Sequence, residues 1–441
     1  MKVANWGNYP VVDAEVRNFR NVDELREILE NGSSLIARGL GRCYGDSSLN
    51  ETIISTSKWK RILDFDRQTG KVKCEAGVSL DDILKVFVPR GWFPAVTPGT
   101  KFVTIGGAIA SDVHGKSHHV TGSFSNYVDD ITIMLSDGRI LTCSKELNAD
   151  LFWSTCGGMG LTGVILEATI SLIPIETSYI IQEVVKTKNI GEIMTLFEES
   201  EAWTYSMAWI DCLATGESLG RSVMMRGEHA KHEDLLSDRS RKQPLTLHKE
   251  SSLNVPFNFP SFTLNGLSMK AFNTLYYAKA PAQYKKSIVH YDPFFYPLDA
   301  VHNWNRIYGK RGFVQYQFVL PKENSREGLP AILRKISEHG KGSFLAVLKL
   351  FGPQETVISF PMEGYALALD FPITKNLFPF LDSLDEMVQY YGGRIYLTKD
   401  ARMSAETFRN GYPHLGMFEK SRTKFDREQK FESLQSKRLG L

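Results

Sequence analysis

At 441 residues, with 42% hydrophobic and 23% charged side chains, the chain is too long for one ordinary core and reads as a globular protein of two domains. A formal charge of +2 argues against a nucleic-acid binder, which usually carries a strongly basic face. The first residues lack the apolar run of a signal peptide, and no stretch approaches the ~18 consecutive apolar residues of a membrane-spanning helix. Five cysteines without a C-x-x-C pair fit a reducing setting, so a cytoplasmic location is expected.

In chain order, residues 21–29 predict a helix, with Asn21 as cap, Glu24 at the capping-box position and Val22, Leu25, Ile28 and Leu29 as one apolar stripe. Residues 34–37 predict a short strand that runs into a glycine-rich loop, and 71–77 a second strand. A capped amphipathic helix is expected from Ser79 to Val88, stopped by Pro89. Strand and helix signals alternate to about residue 173, and Pro174 marks a boundary. Longer strand-like runs follow, such as 312–319. Residues 228–254 are polar and without a period, as expected of a lid, a binding loop or disorder. Glycine and strand signals return near Gly393, and residues 426–441 read as a solvated helix of mixed charge.

Gly158-Met159-Gly160-Leu161-Thr162-Gly163 matches the dinucleotide fingerprint G-x-G-x-x-G. That motif works only with a strand before it and a helix after, since the helix N-terminus holds the pyrophosphate. Here a helical turn precedes and a β-branched run follows, so a nicotinamide-type Rossmann site is rejected. Ala110 to Ser117 is one residue short of a phosphate-binding loop and lacks its buried strand. His114, His118 and His119 have no glutamate between them as a zincin would, so no metal is expected, and His118 and His119 read as a partly exposed loop pair.

Several glycine-rich loops remain, at 38–46, 97–100, 104–107, 114–116 and 157–163. Glycine allows backbone N–H groups to approach a phosphate, and successive N–H groups can form an anion nest. A diphosphate carrying a large ring needs several such loops. Together with Phe152-Trp153, Gln315-Tyr316-Gln317-Phe318, Lys349 to Pro353, Asp370-Phe371-Pro372, 392–396, Lys399-Asp400 and 405–408, these motifs resemble the vanillyl-alcohol-oxidase (PCMH-type) flavoprotein superfamily. Within it they are similar to the decaprenylphosphoryl-ribose 2′-oxidases, over essentially the whole chain.

The resemblance implies an α+β protein with a PCMH-type FAD-binding domain at 1–174, a mixed α/β substrate-binding cap at 175–393 and a C-terminal segment, 394–441, returning to the FAD domain. It implies an FAD-dependent oxidoreductase that oxidises the C2′ hydroxyl of a polyprenyl-phosphate-linked pentose to the ketone, the first half of an epimerisation. A short-chain NAD(P)H reductase would be the partner that completes it. Peripheral contact with a membrane stays open, and a flavin oxidase of soluble sugars or alditols using oxygen is the alternative.

Carried across residue by residue, Ala37, Arg38, Gly39, Leu40, Gly41, Arg42, Cys43, Tyr44, Gly45 and Asp46 would wrap the FAD diphosphate, with Gly99, Thr104, Ile105, Gly106 and Gly107. His114, Gly115, Lys116, Ser117, Ile165 and Tyr396 would line the rest. Arg42 stands where several superfamily members carry a histidine bonded to the flavin, so FAD is expected to bind noncovalently. Lys399 would supply charge or acid–base function beside the flavin, with His114 and Tyr44 completing the catalytic set. Gln315 and Gln317, two apart on a strand, share a face and suit sugar hydroxyls, while Lys349 and Lys116 suit a phosphate. Two departures stand out: Ala366 and Ala368 occupy positions where the mycobacterial relatives carry asparagine and cysteine. The first removes a polar contact near the substrate.

Overall fold

The computed structural model describes residues 1–441 apart from 250–252, 261, 282–283, 341 and 355. Asn21 opens helix Val22–Glu30 by accepting from the Glu24 amide, and Leu25, Ile28 and Leu29 are its buried stripe. Ser79 caps helix Leu80–Phe87 in the same way, and Asp82 returns the bond to the Ser79 amide, completing a capping box. Pro89 does not end the winding at once. It sits in the first positions of a short 3-10 turn, Val88–Arg90, where a missing N–H costs nothing.

Strands Glu15–Asn18, Thr52–Ser55 and Ile36–Arg38 form a small parallel sheet. It packs through Ile54 on Met134, Val164 and Leu166 of a second, antiparallel sheet. That sheet runs in the order Ile140–Ser144, Val128–Met134, Val164–Pro174, Lys71–Glu75 and Ile62–Asp66, with Trp92–Pro94 on the far end of Val164–Pro174. Helix Ile105–Ala110 lies against it, burying Ile105, Ala108 and Ile109. The fingerprint-like glycines fall between helix Ala149–Thr155 and strand Val164–Pro174, the reverse of a Rossmann order.

Beyond Pro174 the chain builds an eight-stranded antiparallel sheet: Lys285–His290, Tyr179–Thr187, Ser222–His229, Tyr205–Ile210, Ala346–Phe351, Gly364–Pro372, Phe313–Pro321 and Arg394–Ile395. Helices Ile190–Glu198, Lys322–His339 and Leu377–Tyr390 cover one face through Phe197, Ile336, Leu381 and Leu384. Side chains alternate along each strand, so Leu348 and Leu350 join that core while Val347 and Lys349 face the other way. The register sets Gln315 opposite Asp370, Gln317 opposite Ala368 and Lys349 opposite Ala366.

Three expectations change. Arg394–Ile395 pairs with Phe313–Pro321, so a division at 393 would cut a strand pairing, and the chain turns toward the glycine loops only afterward, where the Tyr44 amide donates to the Thr398 carbonyl. The 228–254 stretch is not without structure. It ends the strand Ser222–His229, forms helix Asp238–Lys242 capped by Ser237, and pairs Leu253–Asn254 with Val301–His302; residues 250–252 of the expected lid lie outside the described residues.

The C-terminal stretch is not a solvated helix either. Phe431 bridges to Leu35, and helix Leu434–Leu439 buries Gln435, Ser436 and Leu439. The physical reason is Arg438. Its guanidinium reaches the Asp46 carboxylate at 2.9 Å and the Asp400 carboxylate at 2.8 Å, both buried. Burial of two carboxylates is sustainable only with such a cation between them. Arg438→Ala is expected to cost about 3–5 kcal/mol, as for other broken buried pairs, and to lower the midpoint of chemical denaturation without changing its slope.

Candidate active site

A cavity of about 490 Å³ lies between the glycine loops and the open face of the large sheet. Residues 37–44 and 97–100 form one side, and Gly106, Gly107, Ala110, Ser111 and 113–116 continue it. Gly160, Gly163 and Ile165 close the end nearest the first domain's sheet. Gln315, Gln317, Val347, Lys349, Ala366, Ala368, Tyr396 and Lys399 line the opposite side.

The loop after strand Ile36–Arg38 carries the strongest anion-binding signal. Among the described residues, the backbone N–H groups of Gly39, Leu40, Gly41, Arg42 and Cys43 have no partner, and Gly41 adopts a left-handed φ of 62°. Consecutive free donors around such a residue make a nest for a phosphate. The second glycine segment works differently. The amides of Ile105 and Gly106 donate to the carbonyls of Val78 and Ala76, and the Gly107 amide to Thr104 Oγ1. These donors are spent within the protein, so this helix offers a close surface rather than free N–H groups. Free donors on one loop and close, side-chain-free walls on the others fit a diphosphate-bearing cofactor.

Four of the expected cofactor residues stand behind the wall. Gly45 packs so tightly on the Asp400 carbonyl that a Cβ there would lie 1.7 Å from it. Asp46 is engaged by Arg438, Ile105 is in the core, and Ser117 bonds Thr121. The other expected positions all line the cavity: Ala37 to Tyr44, Gly99, Thr104, Gly106, Gly107, His114, Gly115, Lys116, Ile165 and Tyr396. Arg42 stacks its guanidinium 4.0 Å from the Trp6 ring centroid and lies near Phe102.

The cavity also concentrates ionisable groups. Lys399 Nζ sits 3.8 Å from the Tyr44 ring centroid, and burial lowers its pKa to about 7, against the opposing pull of Asp370. Asp370 accepts from Gln315 Nε2 at 2.6 Å and from the Tyr308 hydroxyl, and burial raises it to about 7. Burial likewise lowers Lys116 to about 7 and Lys349 to about 8. Lys116 is held by the Phe295 carbonyl, and Lys349 disfavours the charge on both other lysines. An anion entering among them would favour all three ammonium forms.

His114 lies 3.0 Å from Gln317 through its Nε2 and is packed by Phe351, Phe360 and Tyr396. With the glutamine amide as donor, Nε2 accepts and the imidazole proton resides on Nδ1, which is buried without a partner among the described residues. Desolvation pushes its pKa well below the usual value, so the ring is neutral at physiological pH.

His118 and His119 are not an exposed pair: His118 is buried in a short helix against Gln354, and His119 bonds the Trp203 carbonyl. Each ring engages its partner through Nε2, and no cluster suited to a metal occurs among the described residues.

The sequence alone did not single out Asp370 or Asp299 as site residues. Asp299 accepts from Thr100 Oγ1 and the Lys101 amide, and burial raises its pKa to about 6. Neither carboxylate sits in a glycine motif; only the register opposite Gln315 marks Asp370. Nor did sequence reasoning find the apolar end of the cavity, made by Trp209, Phe272, Tyr276, Trp304 and Phe344.

Comparisons with known proteins agree with this geometry. The FAD binding domain family matches residues 16–144. The decaprenylphosphoryl-β-D-ribose oxidase of Mycolicibacterium smegmatis is 40% identical, covering 100% of this chain and 97% of its own length. Mouse L-gulonolactone oxidase is 31% identical, but over only 36% of this chain and 38% of its own. The D-arabinono-1,4-lactone oxidase of Yarrowia lipolytica is 25% identical over 43% of the chain and 38% of its own.

A side chain at Gly41 would be strained by its φ and would meet the Arg38 guanidinium. Gly41→Val is expected to weaken FAD binding by about tenfold or more, given a strain of about 1–3 kcal/mol. Flavin absorbance retained through dialysis reads the loss, with unchanged far-ultraviolet circular dichroism as the control for folding.

Proposed function

The chain belongs to the family of the decaprenylphosphoryl-β-D-ribose oxidases and is an FAD-dependent oxidoreductase; from that premise we propose that it oxidises the C2′ hydroxyl of a polyprenyl-phosphate-linked pentose to the ketone. The observation that carries this reading is the trio of lysines, buried Lys116 and half-buried Lys349 and Lys399, beside two amides in one cavity. Neutral sugars and lactones bring no anion to offset such a cluster, whereas a phosphate does. The partial overlap with the lactone oxidases, against full coverage by the ribose oxidase, points the same way.

Residues 1–174 and the chain beyond 395 would act as the FAD-binding part, with the large sheet as the cap over the substrate. Ala37 to Cys43 would hold the diphosphate without a covalent link, Arg42 being held by Trp6 and Phe102. Bound FAD supplies the acceptor for the two electrons and the hydrogen that leave the carbinol carbon. The protein's own part is binding, orientation and the hydroxyl proton. Lys116 and Lys349 would grip the phosphate, and Gln315 and Gln317 the sugar hydroxyls. Gln315 is braced by Asp370 and Gln317 by neutral His114. Lys399, with a pKa near 7, is free amine above that pH and can take the hydroxyl proton, while Tyr44 carries its charge once protonated. A reductase working with NAD(P)H would then complete the epimerisation by returning hydride to the ketone.

Anaerobic addition of a polyprenyl-phosphoryl ribose is expected to bleach the flavin in a single turnover. Bleaching by free sugars or lactones instead, with hydrogen peroxide released in air, overturns the reading in favour of a soluble-sugar oxidase.

The signs of the pH dependence follow from the lysines. In the free enzyme Lys399 is an ammonium below pH about 7 and cannot accept a proton, so flavin reduction at sub-saturating substrate accelerates as the pH rises through about 7, and bound phosphate moves that limb upward at saturation. Lys116 loses charge above about 7 and Lys349 above about 8, so KM rises on the alkaline side. Lys399→Met is expected to slow flavin reduction about 100- to 10,000-fold and abolish the acid limb, leaving FAD content unchanged. Stopped-flow reduction across pH checks both.

A further inference from the structure

Residues 253–290 contain four lysines and no aspartate or glutamate. Among the described residues, nine of the nineteen exposed large apolar side chains fall within 253–284, so this is a concentrated patch and not scattered surface. Helix Gly266–Lys279 is apolar on both sides. Met269 is buried, and Phe272 and Tyr276 line the cavity, with Tyr276 4.6 Å from Trp209 and Phe272 5.4 Å from Phe344. On the opposite side Leu267 is 83% exposed, and on the flank Leu275 is 70% exposed. The segment before it presents Phe257 and Phe262, the latter 75% exposed, and Lys270, Lys279, Lys285 and Lys286 on the helix and the strand after it are exposed as well.

We propose that this face docks the protein on an anionic lipid bilayer, with helix Gly266–Lys279 lying in the headgroup plane and the apolar end of the cavity opening toward the acyl chains. Charge complementarity selects that occupant. A protein groove or a second copy of this chain would bury apolar side chains without using a rim of lysines that faces no acid of its own segment. Aromatic and leucine side chains edged by lysine are what an interfacial helix requires. The inference rests on the reading above in one respect: a polyprenyl tail has to pass between bilayer and cavity, and Phe272 and Tyr276 belong to both surfaces.

The FAD-loaded full-length protein should co-sediment with vesicles of phosphatidylcholine and phosphatidylglycerol, but weakly with phosphatidylcholine alone, and high salt should release it. Lys270→Glu, Lys285→Glu and Lys286→Glu together should weaken binding by at least about tenfold. Phe262→Ser, Leu267→Ser and Leu275→Ser together should abolish it. Both variants should keep their flavin and turn over a short-chain, water-soluble polyprenyl-phosphoryl ribose within about twofold of the parent, since none of the six residues lines the cavity.

Absence of binding to either vesicle, or undiminished binding by both variants, overturns the proposal. So does concentration-dependent dimerisation of the parent that the serine variant abolishes without any vesicle binding, which would assign the face to a second copy. Vesicle binding without flavin reduction by the lipid-linked ribose sinks the substrate reading alone. Reduction without vesicle binding sinks the docking alone.

Discussion

The desolvation of three lysines in one cavity is the constraint around which the site is arranged. Water would stabilise each ammonium; walls such as Phe294, Phe295 and Tyr44 do not, and the pKa values fall toward neutrality. One nearby carboxylate, Asp370, opposes this, and it is itself destabilised by burial. The arrangement is therefore poised: the charge it lacks is the charge an anionic ligand brings. In the proposed reading binding and protonation are coupled in the same few side chains, so the ligand's phosphate would help to determine which lysines are charged when the chemistry begins.

Much of this was legible in the sequence, for local reasons. Asn21 and Ser79 announce their helices because capping is decided within four residues. The glycine loops were visible as a set, and the order of helix and strand around Gly158 to Gly163 was enough to dismiss the Rossmann reading. Gln315 and Gln317 share a face because strand periodicity is fixed at two. What escaped was long-range. Gly45 and Asp46 looked like phosphate ligands, yet one is pressed against Asp400 and the other belongs to Arg438, nearly four hundred residues away. The C-terminal stretch looked solvated because its charges are mixed, and no local pattern reveals that Arg438 has two buried carboxylates to reach. Asp370 could be placed only by the register of two distant strands.

The same register explains why two alanines matter. Ala366 and Ala368 stand on strand Gly364–Pro372 opposite Lys349 and Gln317, in the row that faces the cavity. A small apolar side chain there enlarges the space beside the two groups that would hold phosphate and sugar, and offers neither a hydrogen bond nor a thiol. Lys399, Gln315 and Asp370 keep their network unaltered by it. In the proposed reading the chemistry falls to Lys399, beyond the last strand, and selectivity to the row of the sheet in which the two alanines stand.

The cavity also has a direction. At one end are the free amides of Gly39 to Cys43, in the middle the lysines and amides, and toward helix Gly266–Lys279 the rings of Trp209, Phe272, Tyr276 and Phe344. A substrate that was polar throughout would have no use for that last section, whose burial against water alone is favourable only when something apolar fills it. In the proposed reading the polyprenyl chain does so, and the cost of desolvating the lysines is offset partly by apolar contact remote from the reacting carbon. Binding energy collected along the tail then serves orientation at the sugar, where a hydroxyl must meet Lys399 and its carbon the cofactor. A truncated, tail-less sugar phosphate would forfeit that contribution while satisfying every polar group, which is why the apolar section belongs to the active site as much as the lysines do.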